Sequence, residues 1–488
     1  MTKLIPVLCI LLVSKVSAQT NVDLLVEALA KPTPIISDLQ QLTDEVGARL
    51  TGTQANNDAV KWAVSRFKQA GVSVNTEEFL MPRGWQEISA KATVTGESLK
   101  YDIPIATMPF TKATSEQGLS GDLVFLGFGT KEDFSKHQTL KNKWLVVQTA
   151  ILDDKAGING LFKEYVDFVG IEDRAEQAKS AGIIYMSSRD KNLLYRHLPS
   201  DGADNKLPIV VVEREEGLKL KRLLAKGKVL NFTSYHDMAD EASYPVQNVI
   251  AEIKGSELPE QIILIGAHID SFDLGTGALD NGSNVCLVID LARQIKKLGI
   301  KPKRTIRFAL YNGEEQGIYG SLAYTRQHKD ELNNHVMTAT IDIGTGKING
   351  FYTNGRTDFN HAINKALTPV ESQGPFSLIN HPVVGTDNYD FMMNGVPNIV
   401  ASQQDANYAS NYHAESDTFD KVDQKQLKQN SVVMGALILG LAELPEINWQ
   451  KHTFTQVEQM VKDHNIEDSM KTFGLYKSWK NKTRPMRP

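Results

Sequence analysis

Ile262-Ile263-Leu264-Ile265-Gly266-Ala267 runs without a polar side chain and ends in His268-Ile269-Asp270. A short apolar run of this kind, cut off by charge, reads as a strand buried inside a sheet. The same rhythm continues around it. Asn248 to Ile253, Ile306 to Tyr311, Met337 to Ile343 and Asn398 to Ala401 are further buried-strand candidates, and Ser283 to Leu298 and Ile318 to His328 are helices between them. Strand and helix in alternation predict an α/β fold, a mixed and mostly parallel sheet with helices on both faces.

Upstream, Asn57 to Ala70 carries Val60, Ala63, Val64 and Phe67 at helical spacing, with Asn56 or Asn57 as the expected cap and Gly71 as the stop. Val72 to Phe79 then alternates like a strand. From Glu116 to Tyr235 the texture changes to short β-rich runs (Leu123 to Leu126, Trp144 to Gln148, Ile183 to Met186, Ile209 to Val212) between Gly-containing polar loops, which predicts a separate β-rich insert. The expected organisation is a signal segment over 1–18, a first part of the main domain over 19–115, the insert over 116–236, a second part over 237–446, and a C-terminal helical extension with a basic tail over 447–488.

Met1 to Ala18 has Lys3 at its start, an apolar stretch from Leu4 to Val13 and the small-residue site Val16-Ser17-Ala18. That is the pattern of a cleaved secretory signal, so the expectation is export, to a periplasm or beyond, with a mature start at Gln19. Cys9 leaves with the signal, and Cys286 then stands alone, which excludes an internal disulfide and a thiolate zinc cluster. Its neighbours Val285 and Leu287 to Ile289 make it a core residue. The formal charge of −5 provides no basic field for nucleic acid or an anionic membrane.

In open α/β sheets ligands gather beyond the carboxyl ends of the strands, so the polar residues that follow the apolar runs matter most. They are His268 and Asp270, then Asp280 ahead of a helix, Glu314-Glu315 after the strand ending at Tyr311, Asp342, and Tyr412-His413 in a later loop. Singly, each reads as a cap or a satisfied polar group. Together, two imidazoles and several carboxylates without cysteine form a ligand set suited to zinc. One zinc could take His268 and Asp342 and a second Glu315 and His413, with Asp280 bridging the two. Neighbouring glutamates cannot both point at one metal, so Glu315 is read as a ligand and Glu314 as general base toward a shared water. Asp270 is read as the acceptor that orients the His268 ring.

These residues resemble the zinc aminopeptidase and glutamate carboxypeptidase family. The resemblance spans nearly the whole mature chain: Val46-Gly47-Ala48-Arg49-Leu50-Thr51-Gly52, Asn248 to Gly255, Gly266 to Ala278, Asp280, Asn312-Gly313-Glu314-Glu315-Gln316-Gly317 and Gly320-Ser321. It implies a zinc-dependent exopeptidase fold with His268, Asp280, Glu315, Asp342 and His413 on two Zn2+ ions and Glu314 as base. Tyr412 either donates to the oxyanion or packs in the core. The resemblance further implies that the insert, with Arg174 to Ala178 and Leu207 to Val210, is a protease-associated domain roofing the cleft. It also implies a homodimer, short peptides or dipeptides as substrate, and a cis peptide bond between Asp280 and Asn281. Two positions depart from the family pattern. Asn281 stands where many relatives have a second aspartate, and Ser283-Asn284 stands where a small, glycine-like residue is common. Asn281-Gly282-Ser283, Asn231-Phe232-Thr233 and Asn481-Lys482-Thr483 are glycosylation sequons, and a sugar on the first would block the cleft. The alternatives are a non-catalytic receptor-like binding protein, which would shed ligands, and a single-zinc glutaminyl cyclase, which would need only one aspartate, one glutamate and one histidine.

Overall fold

The computed structural model describes residues 19–111, 113–197, 207–404 and 406–482. The expected signal segment and the end of the basic tail lie outside them. The main sheet has eight strands in the order Ser73–Met81, Tyr244–Ile253, Arg304–Tyr311, Leu258–His268, His335–Thr340, Asn398–Gln403, Ile348–Tyr352 and Ser377–Ile379. Its central pairings, from Arg304–Tyr311 across to Asn398–Gln403, are parallel. Antiparallel strands flank them on both sides.

Alternation along one strand shows why two helical layers are needed. Ile306, Phe308 and Leu310 face a core shared with Leu25, Phe67, Leu287 and Leu437. Ala309 and Tyr311 face the other way, onto Tyr324 and Phe391. Side chains of period two feed both faces, so each face must be covered. The first cover includes helices Asn21–Ala30, Gln54–Gln69, Ser283–Lys297 and Gln424–Glu443; the second includes Tyr319–Gln327 and Asn388–Met393. Cys286 is buried in the first, as expected of a core residue.

Three expectations need correction. The cap of Gln54–Gln69 is Thr53, whose hydroxyl accepts from the Asn56 amide. Asn56 is instead buried, exchanging side-chain hydrogen bonds with Asn312. The strand expected over Met337 to Ile343 ends at Thr340, which leaves Asp342 in the loop beyond the sheet edge.

The third correction concerns the insert. Its eight-stranded sheet takes in Gly84–Gly96, Leu99–Ile103 and Ile105–Thr107 and closes with Asn231–Glu241, so it begins well before residue 116 and ends after 236. Gly84–Gly96 pairs with Asn231–Glu241 across more than a hundred intervening residues, a partner that no local pattern announces. The insert is β-rich as expected, and it also carries helices Gly157–Gln177 and Arg214–Ala225 on its parallel strands Leu119–Phe125, Trp144–Val147, Gly182–Met186 and Ile209–Val212. Met81 and Tyr244 are opposite each other in the main sheet, so the insert leaves and re-enters at one point.

The C-terminal segment forms helices Phe454–Asp463, Glu467–Thr472 and Tyr476–Lys480. Val457, Met460, Met470 and Trp479 cover Ile318, Tyr389, Met392 and Met393. Among the described residues no helix is long and apolar enough to cross a membrane.

Candidate metal centre

Five chain segments meet at one place. Leu258–His268 delivers His268 at its carboxyl end, and Arg304–Tyr311 beside it runs into Asn312-Gly313-Glu314-Glu315. Gly313 has φ 73°, and a Cβ there would lie 2.7 Å from the Met81 sulfur, so the turn that presents the two glutamates requires glycine. Asp342 follows the third strand, and Asp280 precedes helix Ser283–Lys297 in a loop whose Asp280–Asn281 peptide bond is cis, as the resemblance implies. His413 follows the short helix Tyr408–Asn411.

The side chains converge. His268 Nε2 is 3.1 Å from Asp280 Oδ1 and 3.0 Å from Asp342 Oδ1. His413 Nε2 is 2.9 Å from Glu315 Oε2 and 3.5 Å from Asp280 Oδ2. Asp280 therefore turns one oxygen to each imidazole. Ligand atoms of His268, Asp280 and Glu315 all lie within 4.8 Å of one another.

The donor set fits a divalent cation. His268, Asp280, Glu315 and His413 are buried, and Glu315 Oε1 has no hydrogen-bond partner among the described residues. Buried anions in such excess over imidazoles are costly unless positive charge joins them. The protonation pattern shows that demand. Burial pushes the Glu315 carboxyl up to about 7 and holds Glu314 and Asp387 well above the usual carboxylate range. Burial alone would lower both imidazoles, but the charge of Asp342 keeps His268 well above its ordinary value and that of Glu315 raises His413 to about 9. Asp280 stays below its usual range because hydrogen bonds from His268 and His413 outweigh its burial. A divalent cation among these groups would supply the positive charge that the raised carboxyls lack.

Comparison with known proteins agrees with this geometry. The family model described as peptidase family M28 matches residues 248–438, which contain all five candidate ligands and Glu314. A protein named carboxypeptidase Q from Pongo abelii is 30% identical over 414 residues, covering 84% of this chain and 85% of its own length. The chain belongs to peptidase family M28. An M28 peptidase precursor from Shewanella amazonensis has a solved structure that is 26% identical and superposes with TM-score 0.77, covering 88% of this chain and 98% of that one. The fold is likewise that of a zinc aminopeptidase from Bacillus subtilis, at 21% identity, TM-score 0.66, and 86% and 96% coverage. Like other members of M28, the chain is a metal-dependent peptidase that acts by an exopeptidase mechanism.

Around the candidate ligands the structure adds residues that the spacing did not announce. The Tyr408 hydroxyl donates to Asp280 Oδ2 at 3.0 Å, the Asn281 amide to Asp342 Oδ1 at 2.8 Å, and the Thr386 hydroxyl to Asp342 Oδ2. Asp417 accepts the Leu279 and Asp280 amides at 2.7 and 3.1 Å. Arg49 is fully buried and donates to the carbonyls of Ile269, Thr276 and Gly277, locking the loop between His268 and Asp280. The resemblance through Val46 to Gly52 pointed at Arg49 without giving its task.

Asp270 does more than expected, by a different atom. Its main-chain carbonyl is the nearer acceptor for His268 Nδ1, at 3.1 Å, against 3.6 Å to its carboxylate. The carboxylate accepts the Glu314 and Glu315 amides at 3.3 and 3.2 Å and the Thr51 hydroxyl at 2.8 Å, which aims the glutamate turn. Tyr412 stacks on His413 with ring centroids 3.5 Å apart, and its hydroxyl lies 3.3 Å from that of Tyr165 in the insert. Asn281 is wholly buried with its amide engaged, so the folded chain offers no access for a sugar at that sequon.

Proposed function

We propose that the chain is an exported di-zinc exopeptidase of short peptides or dipeptides, with His268 and Asp342 on one cation, Glu315 and His413 on the other and Asp280 shared between them. The observation that supports two cations rather than one is Asp280 itself. Its oxygens face different imidazoles, and each imidazole faces a carboxylate that the other does not share. When bound, the cations supply Lewis acidity that acidifies a water and polarises the scissile carbonyl.

The chain's own residues do the rest. Glu314 adjoins ligand Glu315 on a turn held by Asp270, and it takes a proton from the attacking water and returns it to the departing amine. Asn281 and Thr386 donate to Asp342, and Tyr408 to Asp280, which keeps each carboxylate turned toward the centre. We read the insert as a protease-associated domain over the cleft; what supports it is the contact of Tyr165 with Tyr412. Export rests on the Met1 to Ala18 pattern, and N-terminal sequencing of the secreted protein should begin at Gln19.

The deciding experiment is Glu314→Gln with metal content measured alongside turnover. The variant should hold as much zinc as the wild type, two equivalents per chain, and lose turnover by about 10²–10⁴-fold. Hydrolysis near the wild-type rate would remove Glu314 as proton carrier. A wild-type chain saturating at a single zinc would remove the two-cation reading.

A further inference from the structure

The insert supplies none of the candidate ligands, yet it grips one of them. His413 Nδ1 donates to the main-chain carbonyl of Arg196 at 3.1 Å, and the Arg196 amide donates back to the His413 carbonyl at 3.1 Å. Tyr195 and Ala414 form an antiparallel bridge beside this pair, and the Glu415 amide donates to the Leu194 carbonyl at 3.1 Å. Arg189, also from the insert, donates from Nε to the Tyr412 carbonyl at 2.9 Å. Ala414 is packed inside the insert's own apolar core with Tyr195, Met108 and Val211. His413 has φ 58°, a left-handed conformation disfavoured for a residue with a Cβ, so contacts from outside its turn must hold it there.

The Arg196 side chain fixes the position of that carbonyl. It is almost wholly buried, with Nε and Nη2 on the two oxygens of Asp273 at 2.6 and 3.2 Å. Nη1 reaches Glu87 Oε2 at 3.1 Å and the Thr107 carbonyl at 2.5 Å, and the guanidinium lies 5.0 Å from the Trp85 ring. Glu87 and Thr107 belong to the insert's sheet; Asp273 belongs to the loop that follows His268. One planar fork thus ties the insert's sheet to the loop that follows His268, while the Arg196 main chain meets His413, a task for which a lysine's point charge has the wrong shape.

We infer that the insert is part of the metal centre, and that Arg196 is a positioning residue. Through its main chain it fixes the ring orientation and tautomer of His413, so that Nε2 is presented to the cation on the Glu315–His413 side. The inference rests on the two-cation reading for naming which cation is affected. Losing the partner of a metal-bound imidazole typically weakens metal binding by about 10–100-fold.

The test is zinc titration against a competing chelator, with circular dichroism and metal analysis, on the full chain and on Arg196→Ala, Arg196→Lys and Val146→Ala. Val146 lies in the insert's core away from the metal centre and controls for general loosening of the insert. Arg196→Ala should keep one equivalent at wild-type affinity and hold the second about 10–100-fold more weakly. Arg196→Lys should fall between, and Val146→Ala should bind as the wild type does. If Arg196→Ala does not fold, Arg196→Lys carries the comparison. The inference is overturned if a folded Arg196 variant binds every equivalent at wild-type affinity, or if Val146→Ala weakens binding equally. If the wild type takes up only one zinc, the two-cation reading fails by itself, and the same comparison on that equivalent still decides the role of Arg196.

Discussion

Asn281 follows the candidate ligand Asp280, and its amide gives one hydrogen to Asp342 Oδ1 and another to the Ile341 carbonyl at 3.1 Å. Many relatives are expected to carry aspartate there. Asn281→Asp would exchange a donor for a further buried anion beside Asp342, a change that only bound cations can offset. The metal-free variant should therefore melt at a lower temperature than the metal-free wild type, and the zinc-loaded forms should differ by less. Calorimetry of both pairs checks this, and an equal difference with and without zinc would count against it. At this scale the His268-x-Asp270 spacing and the Glu314-Glu315 pair were legible, because chemistry narrows what such residues do at a strand end. Arg49, Tyr408, Thr386 and Asp417 were not, since their partners are main-chain atoms and carboxylates far away in sequence.

Strand His335–Thr340 opens on a buried imidazole with both nitrogens engaged. Nδ1 lies 3.0 Å from the Glu331 carbonyl and Nε2 2.8 Å from the Tyr324 hydroxyl. Burial, helped by the charge of Arg307, lowers the His335 pKa to about 4. The unfolded imidazole titrates near ~6.5, so below that pH the unfolded chain binds the extra proton and stability drains away as pH falls toward 4. Replacing His335 with glutamine removes that dependence. The stability gap between wild type and His335→Gln, read from urea unfolding, should be widest above pH ~7 and narrow toward pH ~4. A gap independent of pH would argue that the imidazole is not held neutral. Among elements, the buried strands were readable because an unbroken apolar run leaves little alternative. Gly157–Gln177 was not: Gly157, Gly160 and Gly170 lower helix propensity, and Ile158 and Val166 are exposed, which blurs the 3.6 period. Gln424–Glu443 was missed for the opposite reason. It is buried on nearly every side from Asn430 to Ala442, so it has no polar face to mark a helix.

Across the whole molecule, the metal centre is where the main sheet, the insert and the C-terminal helices are drawn together. Phe473 of the C-terminal segment packs against Phe162 and Tyr165 of the insert, and Tyr165 reaches Tyr412 beside His413. Chelation should therefore abolish turnover and also lower the melting temperature, because a cation bound at a thousand times its dissociation constant stabilises the fold by about 4 kcal/mol. Zinc should restore both, and a melting curve indifferent to chelator would count against a cation among these carboxylates. Removing 447–488 should uncover Ile318, Tyr389, Met392 and Met393 and produce a less stable, self-associating chain, which light scattering and thermal melting would reveal.

The amino-acid sequence alone determined the α/β class and the strand ends that present His268 and the Glu314-Glu315 pair, since both follow from local apolar runs cut off by charge. Only the tertiary structure decided where the insert begins, which atom of Asp270 meets His268, and that Arg196 holds His413. The insert's start and the hold on His413 depend on pairings more than a hundred positions apart, and the Asp270 carboxylate is engaged by Thr51, Glu314 and Glu315, distant partners set only by packing the whole chain at once.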